Sequence, residues 1–546
     1  MLVHLENIWG VRDDAIADLF IEAIGIDTDA LPAPKSRWDE ADVALITYGD
    51  SIVNDDEAPL RSLANLVGSE LSEAISIVHV LPFSPYSSDR GFSVIDYAEV
   101  DPNLGTWDDM AALSNEVPLM FDLVLNHSSA SSEWFQQFLR DEEPGRSYIK
   151  TGDPDWDLSG VTRPRSTPLL SEFETEAGPK FVWTTFSRDQ VDLDWSNPNL
   201  VAEMFRIIDL YIRQGARLLR LDAVAYIWKV PGTTSIHLPE THEMVKLLHT
   251  LLAARAPEVS IITETNVPDR ENRTYFGDSD EAHLIYNFTL PPLAIDAVLN
   301  GRADRLVDWM AEATPPPPGT TLFNFLASHD GIGVRPAEGF LSSEEIDGLV
   351  ELTHARGGMH GTYARNGEDR PYELNIAFPD LFGGPDDPHM VDRIVLLHSI
   401  VLALAGVPAF YINSLMATTS DHAAVEADGI RRSINRGRVH INDVPSLADD
   451  TWQSRLYREL LDRAALRRGH RAFHPEGSQE LQDHDGVLAI HRRCIDDTEA
   501  VSVYCNMTDQ PKSVTLDGGF HCLLSGDDHA GALELAPYAS AWLTKK

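Results

Sequence analysis

The chain has 546 residues and a mass of 60.6 kDa, with 43% hydrophobic and 24% charged residues. That is the composition of a folded globular protein of several domains or one large barrel, neither disordered nor fibrous. Asp plus Glu total 86 against 43 Lys plus Arg, a formal net charge of −43; such a field repels phosphate backbones and anionic lipid heads, so neither nucleic acid nor a membrane surface is an expected partner.

Residues 1–38 read as a short helical extension closed by the Pro-punctuated linker LPAPKSRW. The N-terminal MLVHLENIWGVRDD has neither the basic nor the apolar region of a signal peptide, and the expected location is the cytoplasm. Eight short apolar runs follow as strand candidates: 43–48, 76–83, 119–126, 216–224, 259–265, 283–288, 321–329 and 407–412. Several lack internal alternation, as strands buried on both faces do. Helical patterns such as 200–214 and 242–254 lie between them. Eight strands with intervening helices predict a (β/α)8 TIM barrel. No G-x-G-x-x-G follows a strand, which argues against a dinucleotide fold. Residues 39–127, 197–330 and 391–469 are the expected barrel parts. Residues 128–196 and 331–390 are two loop-rich insertions, and 470–546 a small C-terminal antiparallel β domain. The apolar run from Ile394 to Ile412 is interrupted by His398, Ser399 and Pro408, and is read as a buried helix and strand rather than a membrane span. Cys494, Cys505 and Cys522 are odd in number and lack C-x-x-C spacing, so neither a disulfide framework nor a zinc site is indicated.

Chemistry in such barrels sits at the C-terminal ends of the strands. Asp222 closes LLRLDA, Glu264 closes IITETN and Asp330 closes FLASHD. A lone carboxylate there is more often a cap or a solvated turn. Three on barrel elements, two of them beside Arg220 and His329, match what retaining glycoside chemistry needs: an ionised nucleophile and a carboxylic acid that keeps its proton near neutral pH.

The ordered motifs LITYGDS, HVLPFSPYSSDRGFSVIDY, DLVLNHSS, RPRSTPLL, RLDAVAYIWK, TETNVP, NFLASHDGIGVRP and RRSINR run from about residue 40 to the C-terminal domain. In them the chain resembles the α-amylase superfamily, glycoside hydrolase family 13, and within it the sucrose phosphorylase group. The resemblance implies Asp222 as nucleophile, Glu264 as acid/base and Asp330 as transition-state stabiliser. It implies glucosyl-site roles for Asp89, Phe92, His127, Gln190, Arg220 and His329, and for Arg432 as the arginine that pairs with Asp89, with Arg436 the alternative. Arg165 and Tyr372 match phosphate-facing residues, and Arg163, His237, Arg365 and Arg370 are further candidates for phosphate or the acceptor.

The expected activity is that of a retaining α-glucoside phosphorylase, a hexosyltransferase that uses a small-molecule sugar and inorganic phosphate to form α-glucose 1-phosphate. Glycerol or glycerate is the expected acceptor. HLPETH and NVPDRENRTYFG resemble the glucosylglycerate type, whereas the loop GGMHGTYARNGEDRPYELN departs from it. A sucrose or sucrose 6'-phosphate phosphorylase, and an α-glucosidase or transglucosidase, are the alternatives; a silent carbohydrate-binding barrel fits poorly with an intact triad. No cofactor is implied. Asn126 occupies a position that holds calcium in many relatives, but the phosphorylase group does without it, and no metal is expected. A homodimer is compatible with the sequence. Positive charge must be concentrated locally to admit phosphate, and so acidic a chain suits a salt-adapted cytoplasm where glucosylated glycerol or glycerate serves as an osmolyte.

Overall fold

The computed structural model describes residues 1–27, 37–163, 167–365 and 368–546, with the side chains of 364, 365 and 368 outside the description. Eight parallel strands close into a barrel. They are β1 (Ala44–Thr47), β2 (Ile77–Val80), β3 (Leu119–Val124), β4 (Ala216–Asp222), β5 (Ser260–Thr263), β6 (Leu284–Tyr286), β7 (Thr321–Asn324) and β8 (Val407–Tyr411). Around the barrel they follow chain order, and β8 pairs with β1 at Ala44↔Ala409 to close the ring. Each of the eight predicted apolar runs supplies one strand. Almost every strand residue is buried because one face packs on the outer helices and the other fills the barrel.

The barrel interior is not wholly apolar. His79 on β2, Asp122 on β3 and Arg220 on β4 point into it and are buried. Buried charges persist only when paired, and these three satisfy one another.

Before the barrel, α1 (Leu2–Trp9) and α2 (Asp14–Ala23) pack on its outside. Asp13 caps α2 by accepting from Ala15 and Ile16 N–H. Phe20 meets Phe205 edge-on at 5.2 Å, and Trp9 meets Trp228 at 6.4 Å. Most of the predicted linker lies outside the described residues.

The segment after β3 forms an antiparallel pair, 127–129 with 190–192, and a three-stranded sheet of 151–152, 170–175 and 178–183. The segment after β7 forms a three-stranded antiparallel sheet of 332–333, 368–375 and 359–365, with a helix at Ser343–Ala355. The long apolar run resolves into a helix, Met390–Ala403, followed by β8. Among the described residues no helix is long and apolar enough to cross a membrane. A six-stranded antiparallel sheet spanning 478–545 ends the chain.

Two buried arginines, one on the helix Trp452–Arg468 before that sheet and one in the sheet itself, bind backbone carbonyls where the segments meet. Arg467 donates from Nε to Leu402 C=O at 2.9 Å, and from its terminal nitrogens to Phe473 C=O at 2.9 Å and Asp42 C=O at 3.1 Å. Arg492 donates to Ala403 C=O and His474 C=O, each at 2.7 Å. Arg467→Met strands these carbonyls without a donor and is expected to cost about 3–5 kcal/mol. A urea titration reads this as an earlier unfolding midpoint; an unchanged midpoint would mean that water replaces the guanidinium.

Candidate active site

Asp222 is the last residue of β4, and Glu264 follows β5, its N–H donating to Leu221 C=O at 3.3 Å. Asp330 stands farther out, in the loop after β7, where its N–H meets Ser328 Oγ at 3.3 Å. All three line one cavity at the C-terminal end of the barrel, together with Asp89, Phe92, His127, Gln190, His329, Tyr372 and Arg432.

The turn that presents Asp89 is tight. Asp89, Arg90 and Gly91 all have positive φ, of 53, 47 and 109°. A Cβ on Gly91 would stand 2.6 Å from Pro82 C=O, so only glycine fits there. The turn delivers Phe92, whose ring stacks on His329 at 5.0 Å and 9°.

Arg220 lies beneath the cavity. One terminal nitrogen contacts Asp222 Oδ1 at 2.7 Å and also Asp122 Oδ1, while Asp122 Oδ2 meets His79 Nε2 at 2.7 Å. Burial raises the pKa of Asp222 well above the usual carboxylate value and Glu264 adds to the rise, while the contact with Arg220 opposes it. Burial and the charge of Asp330 raise that of Glu264, while Arg220 opposes. The two titrate as a pair. The direct contact of Arg220 with Asp222 is the geometric asymmetry between them, and it favours the charge on Asp222 and the proton on Glu264. Asp330 is held well below the usual carboxylate range against the cost of burial, chiefly by Arg432 at 2.5 Å and by His329. Thus the three carboxylates of one cavity have unlike surroundings, with Asp222 against Arg220 and Asp330 against Arg432, as acid/base division requires.

Arg432 differs from the expected pairing with Asp89. It forks onto Glu373, Nε to Oε1 at 2.8 Å and Nη2 to Oε2 at 2.7 Å, while also holding Asp330. Asp89 acts on it electrostatically, behind these two contacts. The reason is the strand carrying Glu373, which brings a buried carboxylate up to the guanidinium fork. Arg436 instead donates from Nε to His329 C=O at 2.7 Å. His127 donates from Nε2 to Phe92 C=O at 2.9 Å and stands 3.1 Å from the Gln190 amide; burial lowers its pKa to about 4, so it is a neutral hydrogen-bonding group.

The remaining candidates part company. Tyr372 lines the cavity. His237 does not: its backbone N–H is drawn to Ala225 C=O, and its Nδ1 sits 2.8 Å from Tyr275 OH. Arg370, exposed across from Tyr363 on the hairpin, and Arg163 also lie outside the lining. Arg165 lies outside the described residues, as does the side chain of Arg365.

Sequence reasoning missed His79, Asp122, Glu373 and Lys229. A charge inside an unbroken apolar strand run was the available signal for the first two. Lys229 bears on the calcium question. Its buried Nζ donates to Asn126 Oδ1 at 2.7 Å and Tyr226 C=O at 2.9 Å, and pairs with Asp192 at 3.1 Å. These oxygens are the kind a calcium ion takes, and a tethered ammonium already uses them. A second cation there would face it directly, so the residues do not fit a metal. Among the described residues no other cluster of His, Cys, Asp or Glu is arranged to hold one.

A parallel barrel with three carboxylates gathered in one cavity at its C-terminal end defines a glycoside-active enzyme. Residues 74–330 match the alpha amylase catalytic domain family. The glucosylglycerate phosphorylase of Spirochaeta thermophila is 44% identical over 490 residues, 88% of this chain and 84% of that protein. That of Allomeiothermus silvanus is 42% identical over 555 residues, 100% of this chain and 98% of that protein. The crystal structure of sucrose 6F-phosphate phosphorylase from Thermoanaerobacter thermosaccharolyticum superposes with a TM-score of 0.75 at 24% identity, covering 86% of this chain and 94% of that one, a likeness of fold. The chain belongs to the α-amylase family, glycoside hydrolase family 13, and within it to the phosphorylase group. It is an enzyme, a glucoside phosphorylase.

Chelation is expected to leave turnover unchanged, whereas Lys229→Met should lower both turnover and the thermal midpoint. Loss of activity in chelator would contradict the tethered-cation reading. Asp122→Asn removes one of the two charges that fix Arg220 and is expected to cost about 10²-fold in kcat by misplacing Asp222. Steady-state kinetics would show this with KM little changed; an unaffected kcat would make Asp122 structural only.

Proposed function

We propose that the enzyme transfers a glucosyl unit, with retention, between glycerate and phosphate through a covalent intermediate on Asp222. The observation that carries this is the convergence of Asp222, Glu264 and Asp330 on one cavity, with Arg220 in direct contact with Asp222. Asp222 attacks the anomeric carbon as Glu264 protonates the departing glycosidic oxygen, giving a β-glucosyl-enzyme and free acceptor. Asp330, kept ionised by Arg432, faces the positive charge that develops on the ring. His127, His329 and Gln190 offer hydrogen bonds to ring hydroxyls, and Phe92 an apolar wall. Phosphate then attacks from the face the acceptor left, passing a proton to the Glu264 carboxylate, and α-glucose 1-phosphate departs. Tyr372, in the cavity lining, is the phosphate-facing hydroxyl of this reading, and Arg165, matched by its motif alone, the cation. Glycerate is favoured as acceptor because relatives of 41, 42 and 44% identity are named for glucosylglycerate.

Incubation of the enzyme with phosphate and glucosylglycerate should release α-glucose 1-phosphate and glycerate, with the α anomer seen directly by NMR. Free glucose alone, independent of phosphate, would make the enzyme a hydrolase instead. Asp222→Ala should abolish turnover by about 10⁴-fold or more, and Glu264→Gln should cost about 10²–10⁴-fold. The pH profile gives a further check. Glu264 must be protonated to act, and burial raises its pKa above the usual carboxylate value, so activity extends toward neutral pH and falls as pH rises through that raised pKa. It falls on the acid side as Asp222 gains a proton. Glu264→Gln should remove the basic limb with a substrate whose leaving group needs no acid; persistence of that limb would assign it to another group.

A further inference from the structure

Three cations that act on the cavity are committed to carboxylates. Arg220 is held between Asp122 and Asp222, Arg432 between Asp330 and Glu373, and Lys229 on Asp192. The carboxylates that hold them include Asp222 and Asp330 of the cavity lining. An anionic ligand would therefore need a cation that no carboxylate holds.

Arg335 is such a cation. It was not among the candidates read from the sequence, although it stands in GIGVRP directly after the SHD motif. Among the described residues it has no ion pair and no hydrogen bond; its guanidinium carbon lies 5.0 Å from the centre of the Tyr363 ring. Its position is fixed by its neighbours. Gly333 abuts the Asn266 amide, where a Cβ would stand 3.2 Å from Oδ1, and Val334 N–H donates to Tyr372 C=O at 2.9 Å. Asn266 and Tyr372 both line the cavity, as does Tyr226, on which Arg335 is the foremost nearby positive charge. Arg335 thus stands at a rim made of Tyr226, Asn266 and Tyr372.

That rim belongs to the side where the acceptor sits, since Asn266 follows Glu264, the residue that protonates the departing oxygen. The Asn266 Oδ1 is buried and accepts no hydrogen bond. A buried unused acceptor costs free energy that a ligand hydroxyl would recover. The half-buried, unpaired guanidinium offers a planar fork suited to a carboxylate.

We infer that Arg335 and Asn266 form an acceptor subsite for a small hydroxy acid, with Arg335 reading the carboxylate and Asn266 a hydroxyl. The inference rests on the phosphorylase reading above and adds to it the residues that select a charged acceptor over a neutral polyol. Neither residue takes part in bond making. In a chain of net charge −43, one uncompensated guanidinium suffices to make the rim attractive to a monoanion, because no countercharge has to be displaced.

The test measures synthesis from α-glucose 1-phosphate with D-glycerate or with glycerol, for wild type, Arg335→Gln and Arg335→Lys, and phosphorolysis over a phosphate series. For Arg335→Gln the glycerate-to-glycerol ratio of kcat/KM should fall by about tenfold or more, through KM for glycerate. Arg335→Lys should restore part of that ratio, and Asn266→Ala should weaken both acceptors. Because the ratio is taken within one preparation, loss of folded protein cancels from it. An unchanged ratio in Arg335→Gln overturns the proposal. So does a rise confined to KM for phosphate, which would make Arg335 part of a phosphate cradle instead. Failure of wild type to glucosylate either acceptor would sink the phosphorylase reading itself, an outcome visible before any variant is compared.

Discussion

The site depends on one guanidinium placed between two carboxylates inside the barrel. Arg220 bridges Asp122 on β3 and Asp222 on β4, and His79 on β2 holds the far oxygen of Asp122. Three adjacent strands are thereby locked in register by a buried chain of charge. Removing one partner of such a pair leaves the other charge unpaid in a low-dielectric interior, at about 3–5 kcal/mol. The same arrangement that the barrel needs for stability gives the carboxylate at its top a fixed position against a positive charge. Structure and chemistry here draw on a single set of bonds.

A second arginine repeats the device at the rim. Arg432 joins Asp330 to Glu373, so the ionised state of Asp330 depends on a hairpin inserted after β7. Tyr372 sits next to Glu373 on that hairpin and lines the cavity. Any movement of the hairpin therefore changes both the wall of the cavity and the charge on one of its carboxylates. Around the cavity of so acidic a chain, Arg220, Arg432 and Lys229 are each committed to carboxylates, which makes a cation without one informative.

Much of the fold was legible in the sequence because strands buried on both faces leave unbroken apolar runs, and all eight barrel strands fall within such runs. Asp222 and Glu264 were legible because they end those runs. Asp330 was legible only through its SHD motif, since it lies in a loop beyond β7 rather than at the strand end. The partners of Arg432 were not legible. Glu373 lies 59 positions away in sequence, and only the register of the inserted hairpin brings the two together. His79 and Asp122 were visible as polar residues in apolar strands, but that they face each other follows from the closure of the barrel. His237 illustrates the reverse case: a motif position whose backbone bond to Ala225 and ring contact with Tyr275 turn it away from the cavity lining.

Lys229 has a consequence beyond holding a loop. Phosphate is a strong ligand for calcium, so an enzyme that must admit phosphate to its cavity would risk surrendering a structural calcium to its own substrate. An ammonium carried on the backbone cannot be extracted, exchanged or precipitated. By fixing Asn126, Asp192 and Tyr226 with a covalently attached charge, the chain makes the architecture of its sugar site indifferent to the concentration of the very anion it consumes.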